Sequence, residues 1–162
     1  MEYCLTAPKV EASIVLRLLK QGQNPNQKDL LGTTAFLHLA STSKITPELI
    51  RLFIEAGADP NDNDSLLQNA LHKYVFVGAA EDMAFFSLNL IQKAKVIEML
   101  VRAGCDIQAP DLNGNTCLML SASHYRSFDA LPAVLLRLGA DPNTQNKAGH
   151  TFFTRMWLDE QD

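Results

Sequence analysis

The residues able to do chemistry are few and scattered. Four histidines (His38, His72, His124, His150) and three cysteines (Cys4, Cys105, Cys117) are the available bases, nucleophiles and soft metal ligands. A zinc site draws three or four such ligands together, commonly from short Cys-x-x-Cys or His-x-x-x-His spacings, and no Cys-x-x-Cys occurs here. Neither the glycine-rich phosphate loop, nor Gly-x-Ser-x-Gly, nor His-Glu-x-x-His is present, so the familiar signatures of nucleotide, acyl-transfer and zinc-protease chemistry are lacking. Asp62 and Asp64 stand two apart, a pair that could serve acid/base work, yet nothing near them in sequence supplies a nucleophile or an orienting base. They read as carboxylates of a solvated turn. No nucleophile, base and orienter can be assembled. The expectation is a protein with no catalytic residues, no metal and no cofactor.

The histidines are scattered along the units of a repeat. Gly57-Ala58-Asp59-Pro60-Asn61 returns, altered, at Gly22-Gln23-Asn24-Pro25-Asn26, Gly104-Cys105-Asp106-Ile107-Gln108 and Gly139-Ala140-Asp141-Pro142-Asn143. The glycines are separated by 35, 47 and 35 residues, and so are Thr34, Asn69, Thr116 and Thr151. From each glycine to its following Thr or Asn is always 12 residues. A punctuation segment of fixed length and a body that stretches are what a stacked array requires, since the fixed part sets the register between neighbours.

The unit resembles the ankyrin repeat, whose pattern runs Asp-x-x-Gly-x-Thr-Pro-Leu-His-x-Ala and closes on Leu-Leu-x-x-Gly-Ala-Asp. The matching stretches are Asp29-Leu30-Leu31-Gly32-Thr33-Thr34-Ala35, Asp64-Ser65-Leu66-Leu67-Gln68-Asn69-Ala70-Leu71-His72, Asp111-Leu112-Asn113-Gly114-Asn115-Thr116-Cys117 and Asn146-Lys147-Ala148-Gly149-His150-Thr151. Proline is missing at every Thr-Pro site, only His72 keeps the histidine, and Leu67 and Asn69 replace Gly and Thr in the second unit. The resemblance implies an all-α solenoid of helix-turn-helix units with short β-hairpin fingers. It divides residues 1–162 into a single array: a cap at 1–33, units at 34–68, 69–115 and 116–150, and a partial unit at 151–162.

Along the chain, Glu2–Ala7 and Val10–Lys20 are expected as the cap's helices, broken at Pro8. Thr34–Ser41 is an expected inner helix. Thr46-Pro47-Glu48 starts an outer one, with Thr46 as cap, Pro47 at the first helical position and Glu48 at the positive end of the dipole. Leu49, Ile50, Leu52, Phe53 and Ile54 leave Glu48, Arg51 and Glu55 as the only polar stripe, so that helix must be covered on both flanks. The third unit carries about 12 extra residues around Val77–Leu90. An outer helix over Met83–Ala103, with Phe85 and Phe86 packed, accounts for them. Asp129 and Pro132 suit the start of the next outer helix. Phe152, Phe153, Met156 and Trp157 would cap the stack, and their excess apolar surface suggests self-association or further residues covering this C-terminal helix. Cys105 and Cys117 occupy small core positions, and Cys4 is expected to be packed.

The composition suits one folded domain, with 47% hydrophobic and 20% charged residues. A net charge of −4 argues against a nucleic-acid or anionic-membrane surface. No membrane span or secretory leader is visible, and three cysteines in 162 residues suit a reducing, cytoplasmic compartment. The resemblance implies a protein-binding module, in the manner of kinase inhibitors, transcription-factor-binding modules or bacterial effectors acting on a host protein in the host cytosol. The alternative is the substrate-recognition domain of a longer enzyme or a ubiquitin-ligase adaptor. In the family the two residues between Asp and Gly sit at the finger tip. The expected partner contacts are therefore Leu30, Leu31, Leu66 and Leu112, flanked by His38 and Tyr74 on the inner helices, with Asp29, Asp64 and Asp111 bracing the turns.

Overall fold

The computed structural model describes residues 17–42, 44–77, 90–122 and 131–158. The expected helix over Glu2–Ala7, most of Val10–Lys20, Cys4, the extra segment with Phe85 and Phe86, His124 and Asp129 lie outside the described residues. Among the described residues seven helices follow the first finger: α1 (Ala35–Ala40), α2 (Pro47–Glu55), α3 (Ala70–Val77), α4 (Leu90–Arg102), α5 (Cys117–Ala122), α6 (Leu131–Arg137) and α7 (Phe152–Leu158). They form two layers. In the inner layer α1, α3, α5 and α7 pack in sequence; in the outer layer α2, α4 and α6 do the same. Contacts of α3 with α4 and of α5 with α6 join the layers. The repeat solenoid expected from the spacing is the observed fold. The fingers are tighter than hairpins. Among the described residues no strand forms, and a lone antiparallel bridge joins Lys28 to Thr34.

Local chemistry starts each helix. Thr34 has an extended backbone, and its hydroxyl accepts from the Leu37 amide at 3.3 Å. Thr46 does the same for Leu49 at 3.2 Å, with Pro47 next in line and Glu48 in the first turn. Such caps satisfy amides that the helix itself cannot. Outer helices end alike. Gly57, Gly104 and Gly139 have φ of 89°, 95° and 97°. The next amides, of Ala58, Cys105 and Ala140, reach back to Phe53, Leu100 and Leu135 carbonyls at 2.9, 3.0 and 3.0 Å. This left-handed closure is available to glycine without strain.

The same turns lock unit to unit. The Asn26 amide group donates to the Gly57 carbonyl at 2.8 Å and accepts from the Asp59 amide at 2.9 Å. Asn61 clamps Gly104 and Asp106 identically, at 2.8 and 2.7 Å. Gln108 holds the third position one methylene longer. Its nitrogen reaches Gly139 at 3.1 Å, while its oxygen has no hydrogen-bond partner. The recurring Asn of the punctuation segment is thus a clamp on the following turn, which is why that segment has fixed length. Between the clamps runs a continuous core: Phe36, Leu39, Ile50 and Phe53, then Leu71, Tyr74, Ile97 and Leu100, then Leu118 and Leu135, all fully buried. The Phe36 and Phe53 rings lie 5.6 Å apart and fasten α1 to α2. Cys105 and Cys117 belong to this core, where burial pushes both thiols up to about 12. Such thiols are inert toward metals and oxidants at neutral pH.

Candidate functional site

Each finger is built by one carboxylate or amide. In the first, Asp29 Oδ1 accepts from the amides of Leu31 and Thr33, both at 2.8 Å, and the Asp29 amide donates to the Thr33 carbonyl at 3.0 Å. Asp64 treats Leu66 and Gln68 the same way, at 2.9 and 3.0 Å, and Asp111 treats Asn113 and Asn115, both at 2.8 Å. Asn146 performs this role for Ala148 and His150, at 3.0 and 2.9 Å. The third residue after each lies in the left-handed region: Gly32, Leu67, Gly114 and Gly149, at 73°, 58°, 79° and 78°. The tips are tied to one another as well. The Leu112 amide donates to the Leu66 carbonyl at 2.8 Å, and the Lys147 amide donates to the Asn113 carbonyl at 3.1 Å.

Leu67 is the one described non-glycine residue at positive φ. A leucine there meets the steric conflict between Cβ and carbonyl that glycine lacks. Leu67→Gly is therefore expected to raise stability by about 1 kcal/mol. Urea unfolding checks this, and a destabilised variant would show that the exposed Leu67 side chain contributes more packing than its backbone costs.

The finger carboxylates also reach the inner helices. Nine residues after Asp29 comes His38 and nine after Asp64 comes Lys73, on the partly exposed stripe of α1 and α3; Asp111 has Leu120 at that spacing. His38 Nε2 is 2.9 Å from Asp29 Oδ2, and Lys73 Nζ is 2.5 Å from Asp64 Oδ2. The Thr33 amide, then His38, holds the Asp29 carboxyl below the usual range. For Asp64 burial pushes upward, but the Lys73 bond and the finger amides outweigh it, so the carboxyl sits below its ordinary value. This corrects the reading of Asp62 and Asp64 as solvated turn residues. Asp64 is buried, and Asp62 pairs with Lys28 at 2.6 Å. Both carboxylates are occupied with structure, which leaves neither for acid/base work.

On this scaffold Leu30, Leu31, Leu66 and Leu112 are exposed, Leu30 fully. His38 is partly exposed beside Asp29. Tyr74 is not at the surface: it is 0% exposed, among the largest buried side chains. Its helical phase explains the correction. Tyr74 shares its register with Leu39 and Ser121, both buried, one residue past the stripe that carries His38 and Lys73. The exposed aromatic on α3 is Phe76, three residues beyond Lys73. Leu67 and Phe76 are surface apolar residues beside the fingers that sequence reasoning missed, and Ile91 on α4 is another. The signals were present: Leu67 stands where every other finger has glycine, and Phe76 lies one helical turn from Lys73.

The described residues contain no group of three His, Cys, Asp or Glu placed to hold a metal ion. No described helix is long and apolar enough to cross a membrane. His72 is fully buried, with Nε2 3.2 Å from the Asn115 carbonyl of the next finger, so it ties its helix to that finger.

Comparison with known proteins agrees with this architecture. The family profile described as Ankyrin repeat matches residues 113–147, from the third finger tip through α5 and α6 to the fourth. NF-kappa-B inhibitor alpha of Sus scrofa is 31% identical over 109 residues, covering 67% of this chain and 31% of that protein. An ankyrin repeat protein of Acanthamoeba polyphaga mimivirus is 26% identical over 160 residues, covering 92% of this chain and 27% of that protein. The chain thus spans about a third or less of the length of these relatives. The profile falls on a unit whose finger, inner helix and outer helix the rest of the array reproduces in register, and the chain belongs to the ankyrin repeat family.

Proposed function

We propose that this chain binds a partner protein through its finger tips and the adjoining stripe of inner helices. The carrying observation is the row of exposed leucines, Leu30, Leu31, Leu66 and Leu112, on tips that side-chain and backbone bonds hold in place. A single exposed leucine means nothing, but a row on one edge makes an apolar patch of the kind that marks interaction sites. Because the tips are fixed before binding, little ordering entropy is lost on association. Ankyrin repeats are generally protein-interaction modules, and the name of the pig relative, an inhibitor of NF-kappa-B, describes a protein that acts on another protein. The reading is of binding, not catalysis. The finer assignment, an effector acting on a host protein, rests on the uneven repeats alone. A second reading, the recognition part of a longer enzyme or adaptor, is favoured by the lengths of the relatives.

The test is a capture experiment with cross-linking from a eukaryotic lysate, comparing the native chain with Leu30→Ser/Leu66→Ser/Leu112→Ser. The variant is expected to lose the captured partner, with purified affinity reduced about a hundredfold for three interface leucines, and to melt as the native chain does. Stability lost together with binding would place the leucines in the core. A partner retained at full affinity would place the site elsewhere.

A further inference from the structure

Three fingers close on glycine at the third position after the Asp or Asn that builds them, Gly32, Gly114 and Gly149, whereas the second closes on Leu67 at φ 58°. Nothing in the turn asks for a side chain there. The Leu67 amide donates to the Asp64 carbonyl at 3.0 Å, the same bond that Gly32, Gly114 and Gly149 make to Asp29, Asp111 and Asn146 at 3.1, 2.9 and 2.9 Å. The leucine therefore carries the left-handed conflict without gaining a bond from it. Burial offsets little of it, since Leu67 stays 46% exposed. Residues held in such conformations gather at ligand clamps and other functional sites. The neighbouring fingers show where the side chain is directed. A Cβ added at Gly32 or Gly114 would face the first tip residue of the following finger, Ser65 nitrogen at 3.6 Å and Lys147 nitrogen at 2.9 Å. After the second finger that residue is Leu112, whose amide is bonded to the Leu66 carbonyl at 2.8 Å. Leu66, Leu67 and Leu112, all exposed, thus form one cluster across two fingers in the middle of the row.

We propose that Leu67 contacts the partner protein, at the centre of an apolar contact with Leu66 and Leu112, and that the second finger holds a leucine in a glycine position for this purpose. The proposal rests on the reading of the finger tips as the binding surface. It adds a residue that lies outside the two tip positions of each finger, and it sets the chemistry of what the partner places there. The charges beside the cluster are already matched within the chain, Lys28 with Asp62 at 2.6 Å and Lys73 with Asp64 at 2.5 Å. At its edge Lys147 Nζ sits on the Leu112 carbonyl at 2.7 Å, which disfavours a cation nearby. A charged group pressed against the leucines would give up water for no opposite charge, whereas an apolar one covers their remaining surface. The occupant is accordingly an apolar element of the partner with no cation beside it. Glycine at position 67 gives the more stable finger and leucine the one that binds.

The probe is the protein that the native chain captures from a eukaryotic lysate and the Leu30→Ser/Leu66→Ser/Leu112→Ser chain does not, purified and titrated against each variant. Leu67→Gly and Leu67→Asn both relieve the backbone, since Asn also visits the left-handed region, and both remove the apolar surface. Each is expected to raise the urea midpoint and yet to bind about fivefold more weakly. Leu67→Met keeps the strain and the apolar surface, and should match the native chain in midpoint and affinity. The opposed signs separate contact from packing, because a structural leucine would lose stability and affinity together. A lowered midpoint in Leu67→Gly and Leu67→Asn overturns the proposal. So does weak binding by Leu67→Gly alone, which would trace the effect to a loosened finger. If no protein is captured selectively by the native chain, the reading of the tips fails and this inference with it. If one is, and both Leu67→Gly and Leu67→Asn bind it with native affinity, this inference alone fails.

Discussion

Gly114→Ala is expected to destabilise the array by about 3 kcal/mol, and the same change at Gly149 by about 1 kcal/mol. The two glycines hold one position in successive fingers and have nearly the same backbone, φ of 79° and 78°. An alanine at either suffers the left-handed conflict, worth about 1 kcal/mol. The difference lies in what a Cβ would meet. At Gly149 nothing stands within 4 Å, whereas at Gly114 the Cβ would come to 2.9 Å from the Lys147 amide nitrogen and 3.2 Å from Asn146 Cα. Those atoms are backbone and cannot swing aside. Relief requires the fourth finger to move, which loosens the Lys147 to Asn113 bond and the 2.8 Å bond from Asn146 Nδ2 to Asn115 Oδ1. Overpacking of this kind typically costs about 1–3 kcal/mol. Gly32 supplies the intermediate case, since its nearest contact, Ser65 nitrogen at 3.6 Å, is ordinary packing. Urea unfolding of the three alanine variants gives the comparison. Equal losses at positions 114 and 149 would show that the fingers do not press on each other as described.

That contrast marks the limit of what can be read from a sequence. The repeat period, the caps at Thr34 and Thr46, the burial of Cys105 and Cys117 and the exposure of Leu30, Leu31, Leu66 and Leu112 all follow from local pattern. They depend on spacing within one unit. Contacts between units do not. That Asn26 and Asn61 clamp the next turn, and that Asp64 pairs with Lys73, needs the stacking geometry first. Hence Asp64, bracketed by polar residues, read as a solvated carboxylate and proved buried. Tyr74 failed for a different reason. An eight-residue helix with apolar residues at most positions, Ala70 through Val77, has Lys73 as its one charged residue, too little to fix its rotation from the pattern alone. A phase error of one residue moves a side chain from the surface to the core.

Acid should unfold the array in two stages, the first governed by His72. The ring is fully buried. Several groups favour its charged form: the carbonyls of Asn115 and Ala109, Asn69 Oδ1 at 2.7 Å from Nδ1, and the carboxylates of Asp111 and Asp64. Burial outweighs them and holds the imidazole below its ordinary range. The ring nitrogens face two acceptors, Asn69 Oδ1 at 2.7 Å from Nδ1 and the Asn115 carbonyl at 3.2 Å from Nε2, so a neutral ring with one N–H donates to one of them only. The sign follows from the lowered folded pKa. Above the unfolded value of 6.5 both states are neutral and stability is complete. Below it the unfolded chain takes up a proton that the folded chain refuses, so stability falls as pH drops toward the folded value, with a slope approaching about 1.4 kcal/mol per pH unit for one proton. Asp64 controls a second, more acidic stage. Its folded pKa lies below 3.8, so its contribution is present above that value and is lost as pH falls through the folded one. Two variants separate the stages. His72→Gln, whose amide can still donate to Asn115, should flatten the slope between neutrality and pH 5 at a cost of about 2 kcal/mol from the imperfect fit. Asp64→Asn should leave that slope intact. It should cost only about 1 kcal/mol at neutral pH, because Asn146 already shows that an amide oxygen can bind both finger N–H groups and only the pairing with Lys73 is given up. Asp64→Ala, which strands Lys73 and the amides of Leu66 and Gln68 together, should cost about 3 kcal/mol. Urea midpoints measured from pH 2 to 8 decide the matter. A His72→Gln variant that keeps the native slope would remove His72 as its source, and equal losses for Asn and Ala at position 64 would mean that the finger bonds contribute little.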